Sequence, residues 1–354
     1  MVRVTLEKIR HVYPGNVEAV KDVNITFDIT LNSLLGPSGC GKTTLMKIIA
    51  GLLNPTEGRV YFDNEDVTSL SPQARNIAMV FQFPIVYDMS VYDNIAFPLM
   101  VRKVPTQEIR KKVLEVAGLF GLKNVLTMNA YKLDLSAKQR VAICRALVRN
   151  PNVFILDEPF TNIDPESRLA LRAKLKEIQR GFNQTMIFVT HDQSEALTLS
   201  NMIAIMKDGR ILQYATPEEI YENPENTFVA YFIGMPAMNL LSCSLEKGML
   251  KLGELSFDVS NIRNILEPHG SEFIFGIRAE HIELSKVPLS SDEIPMKCVL
   301  VENLGPIKVL YLEGNGISLK VKTKVDDIVE GNTVYIKILK NKIRIFKKTG
   351  ERLV

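Results

Sequence analysis

The 354-residue sequence predicts an α/β domain on a largely parallel sheet, followed from residue 235 by a small all-β domain. Three observations lead there. Apolar strand-like runs alternate with amphipathic helical segments through residue 234. A glycine-rich loop joins a β-branched run to a helix around residues 31–50, the pattern of a phosphate-binding βα unit. Near Met235-Pro236 the texture turns to short β-branched runs broken by Gly-Asn, Gly-Pro and Asp-Asp.

The elements follow in order. RVTLEKIRHVY alternates as a strand, and VNITFDITLNSLLG leads a β-branched run into glycine. KTTLMKIIAGLL has apolar residues at helical spacing and a glycine near its end. The segment from about residue 83 to 145 reads as a mainly helical insertion, in which TQEIRKKVLEVAGLFGL is a helix begun by Thr106 and broken by Gly121. NVFILDEP is a buried strand, PESRLALRAKLKEIQRG a helix, TMIFVTH a strand and QSEALTLS a short helix. NMIAIMKDGRILQ closes as a hairpin on Asp208-Gly209. TPEEIYENP opens with a capping box of Thr216 and Glu219. ISLKVKT, TVYIKILK and KIRIFKK are strands of a barrel-like second domain, placed at 235–354 against a first domain at 1–234.

Composition limits function. A net charge of +3 is too small to argue for nucleic acid. From Lys320 onward ten Lys and Arg stand against four Asp and Glu. Without interleaved aromatics that stretch reads as the solvated face of the β domain. Cys40, Cys144, Cys243 and Cys298 show no ligand spacing, which fits a reducing cytosol rather than a metal or disulfide framework. The N-terminal stretch lacks the apolar core of a signal peptide, and no run reaches the ~18 apolar residues of a spanning helix. Work at a membrane would require docking onto another chain.

GPSGCGKT, Gly36 to Thr43, fits G-x-x-x-x-G-K-[ST] at every position. Glycines let backbone N–H groups turn inward around phosphate oxygens, and the next helix adds the positive end of its dipole. Lys42 can neutralise β/γ-phosphate charge, and the Thr43 hydroxyl can ligate Mg²⁺. Gly36, Pro37, Ser38, Gly39, Cys40, Gly41, Lys42, Thr43 and Thr44 are thus the expected nucleotide cradle. Cys40 is a spacer within it, with a redox role as the alternative. FILDEP ends an apolar strand in Asp157-Glu158, at the sheet edge where open α/β sheets bind ligands. Asp157 would hold the metal and Glu158 would polarise the attacking water.

With GPSGCGKTTLMKIIAGL, MVFQ, RVAICRALVRNP, FILDEP, TNID and FVTHD in that order, the chain resembles the ATP-binding subunits of ABC importers, in the group of maltose/sugar-importer ATPases. The resemblance implies ATP and Mg²⁺ as cofactors. It implies Tyr13 as the adenine-stacking aromatic, with a surface hairpin tyrosine as the alternative. Gln82 would sense Mg²⁺ and the attacking water, and start the loop that touches the membrane subunit. His191 would contact the γ-phosphate. Asp164 would speak across a dimer, cap the helix at Pro165, or both. FGIRAEHIELS, VENLGPIKVLYLEG and KTGERLV resemble the OB-like accessory domain of that group. Also implied are transmembrane subunits as partners, an extracytoplasmic solute-binding protein as an indirect one, and a peripheral place on the cytoplasmic face of the membrane.

The sequence departs from the family at KLDLSAKQR, where the signature LSGGQ belongs. Aligned without gaps, Leu133-Asp134-Leu135-Ser136-Ala137 puts Asp134 in place of serine and removes both glycines; aligning Leu135-Ser136 instead requires a two-residue deletion. A carboxylate there would face a partner's phosphate. One like-charge pair at ~4 Å costs about 4 kcal/mol at an effective dielectric of ~20. A charged hydrogen bond returns roughly 1.5–3 kcal/mol. Repulsion wins, so the expected partner is a second, different ATPase subunit with an intact signature, against a slow homodimer. A regulatory subunit that holds ATP without turnover is another alternative. A soluble ABC ATPase would carry a long coiled-coil insertion or tandem halves, and this sequence has neither. Two smaller departures are a loop after Gln82 that is one residue short and a strand before Gly36 without the usual Asp-Gly turn.

Overall fold

The computed structural model describes residues 2–161, 163–182, 184–290 and 293–354. By internal contacts the chain divides into two units, Met1–Pro217 and Glu218–Val354.

The first unit runs β1 (Val4–Tyr13), β2 (Val17–Phe27), β3 (Leu31–Leu35), α1 (Lys42–Ala50), β4 (Glu57–Phe62), β5 (Glu65–Asp66), β6 (Ile77–Val80), α2 (Val91–Val101), α3 (Thr106–Leu119), α4 (Leu135–Leu147), β7 (Val153–Asp157), α5 (Pro165–Phe182), β8 (Thr185–Thr190), α6 (Gln193–Leu199), β9 (Met202–Lys207) and β10 (Arg210–Ala215). One sheet is antiparallel, ordered β2-β1-β4-β5. The other is ordered β10-β9-β3-β8-β7-β6, parallel from β9 to β6 with β10 antiparallel at its edge. Asp208 and Gly209, with φ of 48° and 83°, make the tight β9–β10 turn.

The parallel strands read as continuous apolar runs because both faces are covered. In β7, Phe154 and Leu156 join a core with α2, α3, α4 and α5, while Val153 and Ile155 join a core with α1 and the antiparallel sheet. β8 divides likewise, Met186 and Phe188 to one side, Ile187 and Val189 to the other. The helices α2 to α4 occupy the segment expected to be helical. Where the sequence lacks an Asp-Gly turn before β3, the buried Asn32 amide ties the turn instead. Its Nδ2 donates to the carbonyls of Asp28 (2.9 Å) and Thr30 (3.0 Å), and its oxygen accepts from Tyr214 Oη (2.6 Å).

The second unit contains α7 (Pro217–Glu222), α8 (Thr227–Phe232), β11 (Asn239–Glu246), β12 (Met249–Leu252), β13 (Leu255–Asp258), α9 (Arg263–Leu266), β14 (Glu272–Ile277), β15 (Ile282–Ser285), β16 (Ile294–Asn303), β17 (Lys308–Gly314), β18 (Ile317–Thr323), β19 (Thr333–Ile338) and β20 (Arg344–Lys347). Two antiparallel sheets, β13-β12-β11-β14-β20 and β15-β19-β16-β17-β18, share one apolar core. The edge strands β15 and β18 approach each other, so the second sheet curls into an OB-like half-barrel. The buried Arg278 guanidinium donates to the carbonyls of Tyr221, Ala230 and Ile233 and lies 4.0 Å above the Tyr221 ring. Those bonds tie α7 and α8 to the β-rich unit, although their sequence reads as the tail of the α/β domain.

Arg75 plays a matching part in the first unit. Its side chain is 1% exposed and donates to the carbonyls of Ile48, Ile49, Leu70 and Thr68. A cation thus closes the negative end of α1. Arg75→Met strips its donors from those buried carbonyls, of which Ile48's keeps a second partner in Gly51 N, and is expected to cost about 3 kcal/mol or more. A lowered urea midpoint of the nucleotide-free chain checks this; an unchanged midpoint refutes it.

Candidate functional site

The glycine-rich loop leaves the wholly buried β3 and enters α1. A Cβ on Gly36 would lie 2.1 Å from the Met206 carbonyl oxygen, so no larger residue fits there. Gly41 combines a φ of +108° with a Cβ position 2.3 Å from the Ala19 carbonyl oxygen. Gly41 is the N-cap of α1 and has no side chain to cap it, so no side-chain cap fills the first-turn N–H groups. Lys42 Nζ folds over the loop and donates to the carbonyls of Gly36 and Pro37, both at 2.8 Å. Pro37 is half-buried, and Ser38, Gly39 and Thr43 are exposed, on the open side of the loop. Cys40 is buried with Sγ 3.8 Å from Lys42 Nζ, and burial raises its thiol above the ordinary value. All four cysteines are free and buried.

Asp157 ends β7 between β6 and β8. Burial first, then the neighbouring Glu158, pushes its carboxyl up to about 6, with Lys42 and Lys47 pulling the other way. Glu158 has a φ of 44°, a left-handed backbone that a non-glycine residue adopts at a cost of roughly 1 kcal/mol. Its N–H donates to the Val189 carbonyl at 2.9 Å, so the chain turns while still bonded to β8. Three groups from separate segments meet its carboxylate. Gln82 Nε2 donates to Oε2 at 3.0 Å, Thr161 Oγ1 donates to Oε2 at 3.2 Å, and His191 Nδ1 lies 3.0 Å from Oε1. Gln82, Asp157, Glu158 and His191 are therefore gathered at the ends of neighbouring parallel strands. Thr161 was missed by sequence reasoning; its spacing of three from Glu158 is a signal only once the intervening turn is known.

Tyr13, at the end of β1, is half-buried, and its hydroxyl hydrogen-bonds to Thr44 Oγ1 at 3.2 Å, which fastens it to the first turn of α1. Asp164 is exposed and caps α5, accepting from Ser167 N at 2.9 Å; that bond holds its carboxyl below the ordinary value. At α4, Asp134 is the N-cap and accepts from Ala137 N at 2.7 Å. The helix begins at Leu135, so Asp134, not Ser136, stands at the cap position. The two helix starts therefore differ. That of α1 is left open; that of α4 already carries a carboxylate.

As a metal site the donors are hard oxygens, the Asp157 carboxylate and the Thr43 hydroxyl, with the Gln82 amide oxygen left over from its bond to Glu158. Oxygen donors of this kind suit Mg²⁺. Among the described residues no cluster of three His, Cys, Asp or Glu could hold a metal alone. The set thus fits a cation that arrives with phosphate oxygens of its own. Among the same residues no helix is long and apolar enough to cross a membrane.

The family model described as ABC transporter matches residues 21–161. The trehalose/maltose import ATP-binding protein of Thermococcus litoralis is 41% identical over 96% of this chain and 96% of its own length. The oligosaccharides import ATP-binding protein of Bacillus subtilis is 37% identical over 99% of each. The trehalose import ATP-binding protein of Mycobacterium tuberculosis is 39% identical over 88% of this chain and 82% of its own. The solved structure of cbiO1 from Clostridium perfringens, part of an ABC transporter complex, superposes with a TM-score of 0.58 at 30% identity, covering 61% of this chain and 89% of that one. A dimeric ATP-binding cassette bound to ADP and Pi gives 0.56 at 29% identity, covering 60% and 98%. With its glycine loop, its paired strand-end carboxylates and relatives that match it nearly end to end, the chain belongs to the ATP-binding, ATP-hydrolysing subunits of ABC transporters.

Proposed function

We propose that this chain hydrolyses Mg²⁺-ATP to energise sugar import, bound to membrane subunits at the cytoplasmic face of the membrane. The observation that carries the reading is the gathering of Glu158 by Gln82, Thr161 and His191 beside the glycine loop. The sugar class comes from relatives whose names specify trehalose, maltose or oligosaccharide import and which match both units.

In this reading the α1 N–H groups and Lys42 hold the β/γ-phosphates, and Tyr13 packs against the base. Thr43, Asp157 and Gln82 hold Mg²⁺, which when bound neutralises charge on the phosphate oxygens. Glu158 accepts the proton of the attacking water. Gln82 and His191 fix its two oxygens in place, and His191 reaches the terminal phosphate. The membrane partner docks at a groove of about 480 Å³ whose walls include Phe83, Ile85, Tyr87, Phe97 and Val101. Phe83 and Val101 are 68% and 62% exposed, which is apolar surface that a partner would cover. The loop from Gln82 runs into that groove, so the same loop touches both the acid and the partner.

A second reading concerns the opposite subunit, and the capped start of α4 favours it. The Asp134 carboxylate stands where an incoming phosphate would need a donor. The chain then works best opposite a different ATPase subunit that supplies an intact signature, while a solute-binding protein delivers the sugar outside. Two copies would form a slow pair.

Glu158→Gln is expected to lower kcat about 10²–10⁴-fold while Mg²⁺-ATP still binds; unchanged turnover defeats the assignment. Asp157→Asn removes one of two adjacent half-buried charges. It should raise the Tm of the nucleotide-free chain while abolishing turnover, and a lowered Tm would show that Asp157 is not the strained group. Native mass measurement of the purified transporter should find two distinct ATPase chains. Asp134→Ser, which keeps a capping oxygen, should speed turnover by the chain alone. A complex with two copies of this chain and no gain in that variant removes the second reading.

A further inference from the structure

His191 poses a positional problem. Its side chain is 53% exposed, and the bond its ring makes is to Glu158. Surface packing does not orient it, so the backbone of Thr190-His191-Asp192 must. That backbone is tied down from below. Asp192 N donates to Thr190 Oγ1 at 3.0 Å, and Asp192 Oδ1 caps α6 by accepting from Ser194 N at 2.7 Å and Glu195 N at 3.2 Å. Thr190 Oγ1, on a residue 2% exposed, donates to Glu195 Oε2 at 2.7 Å. The other oxygen of Glu195 receives Arg172 Nη2 at 2.8 Å. These two side chains are 6% and 19% exposed, and the Arg172 guanidinium lies 5.6 Å from the Phe160 ring centroid.

We propose that Glu195 and Arg172 are positioning residues for His191, a buried ion pair that locks the Thr190 hydroxyl and so aims the imidazole at the reacting phosphate. A buried ion pair is a poor means of stabilising a fold, because desolvation offsets most of its attraction and an apolar pair would serve as well. Its use here is geometric: an acid that accepts from Thr190 on one oxygen needs a fixed cation on the other. Arg172 lies about two turns into α5, the helix that follows the Thr161 loop. Both sides of Glu158, Thr161 and His191, are therefore referred to one frame.

The inference rests on the proposed role of His191, and the test separates the two. Steady-state hydrolysis and Mg²⁺-ATP Kd are measured on the full chain for E195A, H191A and H191A/E195A, with R172K beside R172A. E195A should lose roughly ten- to hundredfold in kcat with Kd unchanged. The double variant should be no slower than H191A, since the two residues act as a unit. R172K should recover part of what R172A loses. If E195A does not fold, E195Q enters the same cycle, because it keeps the shape and one acceptor. A further loss from E195A in the H191A background, or a Kd that weakens in step with kcat, overturns the inference alone. Normal turnover in H191A overturns the site reading and this inference with it.

Discussion

Two carboxylates held side by side at the end of a buried strand are the constraint around which the first unit is organised. Asp157 and Glu158 cannot both sit comfortably ionised at a sheet edge, and the raised Asp157 carboxyl records the conflict. The surroundings answer it with positive charge and donors. Lys42 and Lys47 lie close enough to oppose the shift, and Lys42 is the first residue of α1. Glu158 escapes its neighbour by a left-handed turn, and that turn delivers it to Gln82, Thr161 and His191. In the proposed function, a nucleotide arriving with a divalent cation would complete the charge balance, bringing both signs to the site.

Much of this was legible in the sequence, for reasons of proximity. The glycine loop is a local motif between a strand and a helix, so its spacing alone describes it. The strands NVFILD and TMIFVT were recognisable because burial on two faces removes polar alternation, and the hairpin because Asp208-Gly209 suits positive φ. What escaped were bonds between residues far apart in the chain with no periodic relation. Arg75 reaches carbonyls 26 and 27 positions earlier, and Arg172 reaches an acid 23 positions on. Each looks like an ordinary surface arginine in sequence. The short helices α7 and α8 illustrate the same limit: long-range bonds from Arg278, Lys342 and Arg344 say which unit they belong to.

The contrast between helix starts links energetics to assembly. An uncapped helix start is an unfilled anion site, whereas a start closed by aspartate has been neutralised from within. In this chain α1 is of the first kind and α4 of the second. The Asp134 cap stabilises α4 in the isolated chain, by about 1 kcal/mol for a typical cap. Under the proposed asymmetric reading, the same cap would leave α4 less fit to grip a phosphate presented by another subunit. Under that reading, local stability and cooperative catalysis would pull the same position in opposite directions.

The ladder between β7 and β8 has a further consequence. Asp157 sits opposite Val189, and the Glu158 N–H continues the pairing one step beyond. The acid and the histidine are thus indexed to each other by backbone bonds rather than by the loops that carry them. Insertions in surface loops would leave that indexing intact. Deleting one residue within Thr185–Thr190 would instead exchange the two faces of the strand, sending Phe188 toward the α1 side and Val189 toward the helical side. Tolerance to length variation in this chain should therefore stop abruptly at two short stretches, like a rack whose teeth admit no half-step.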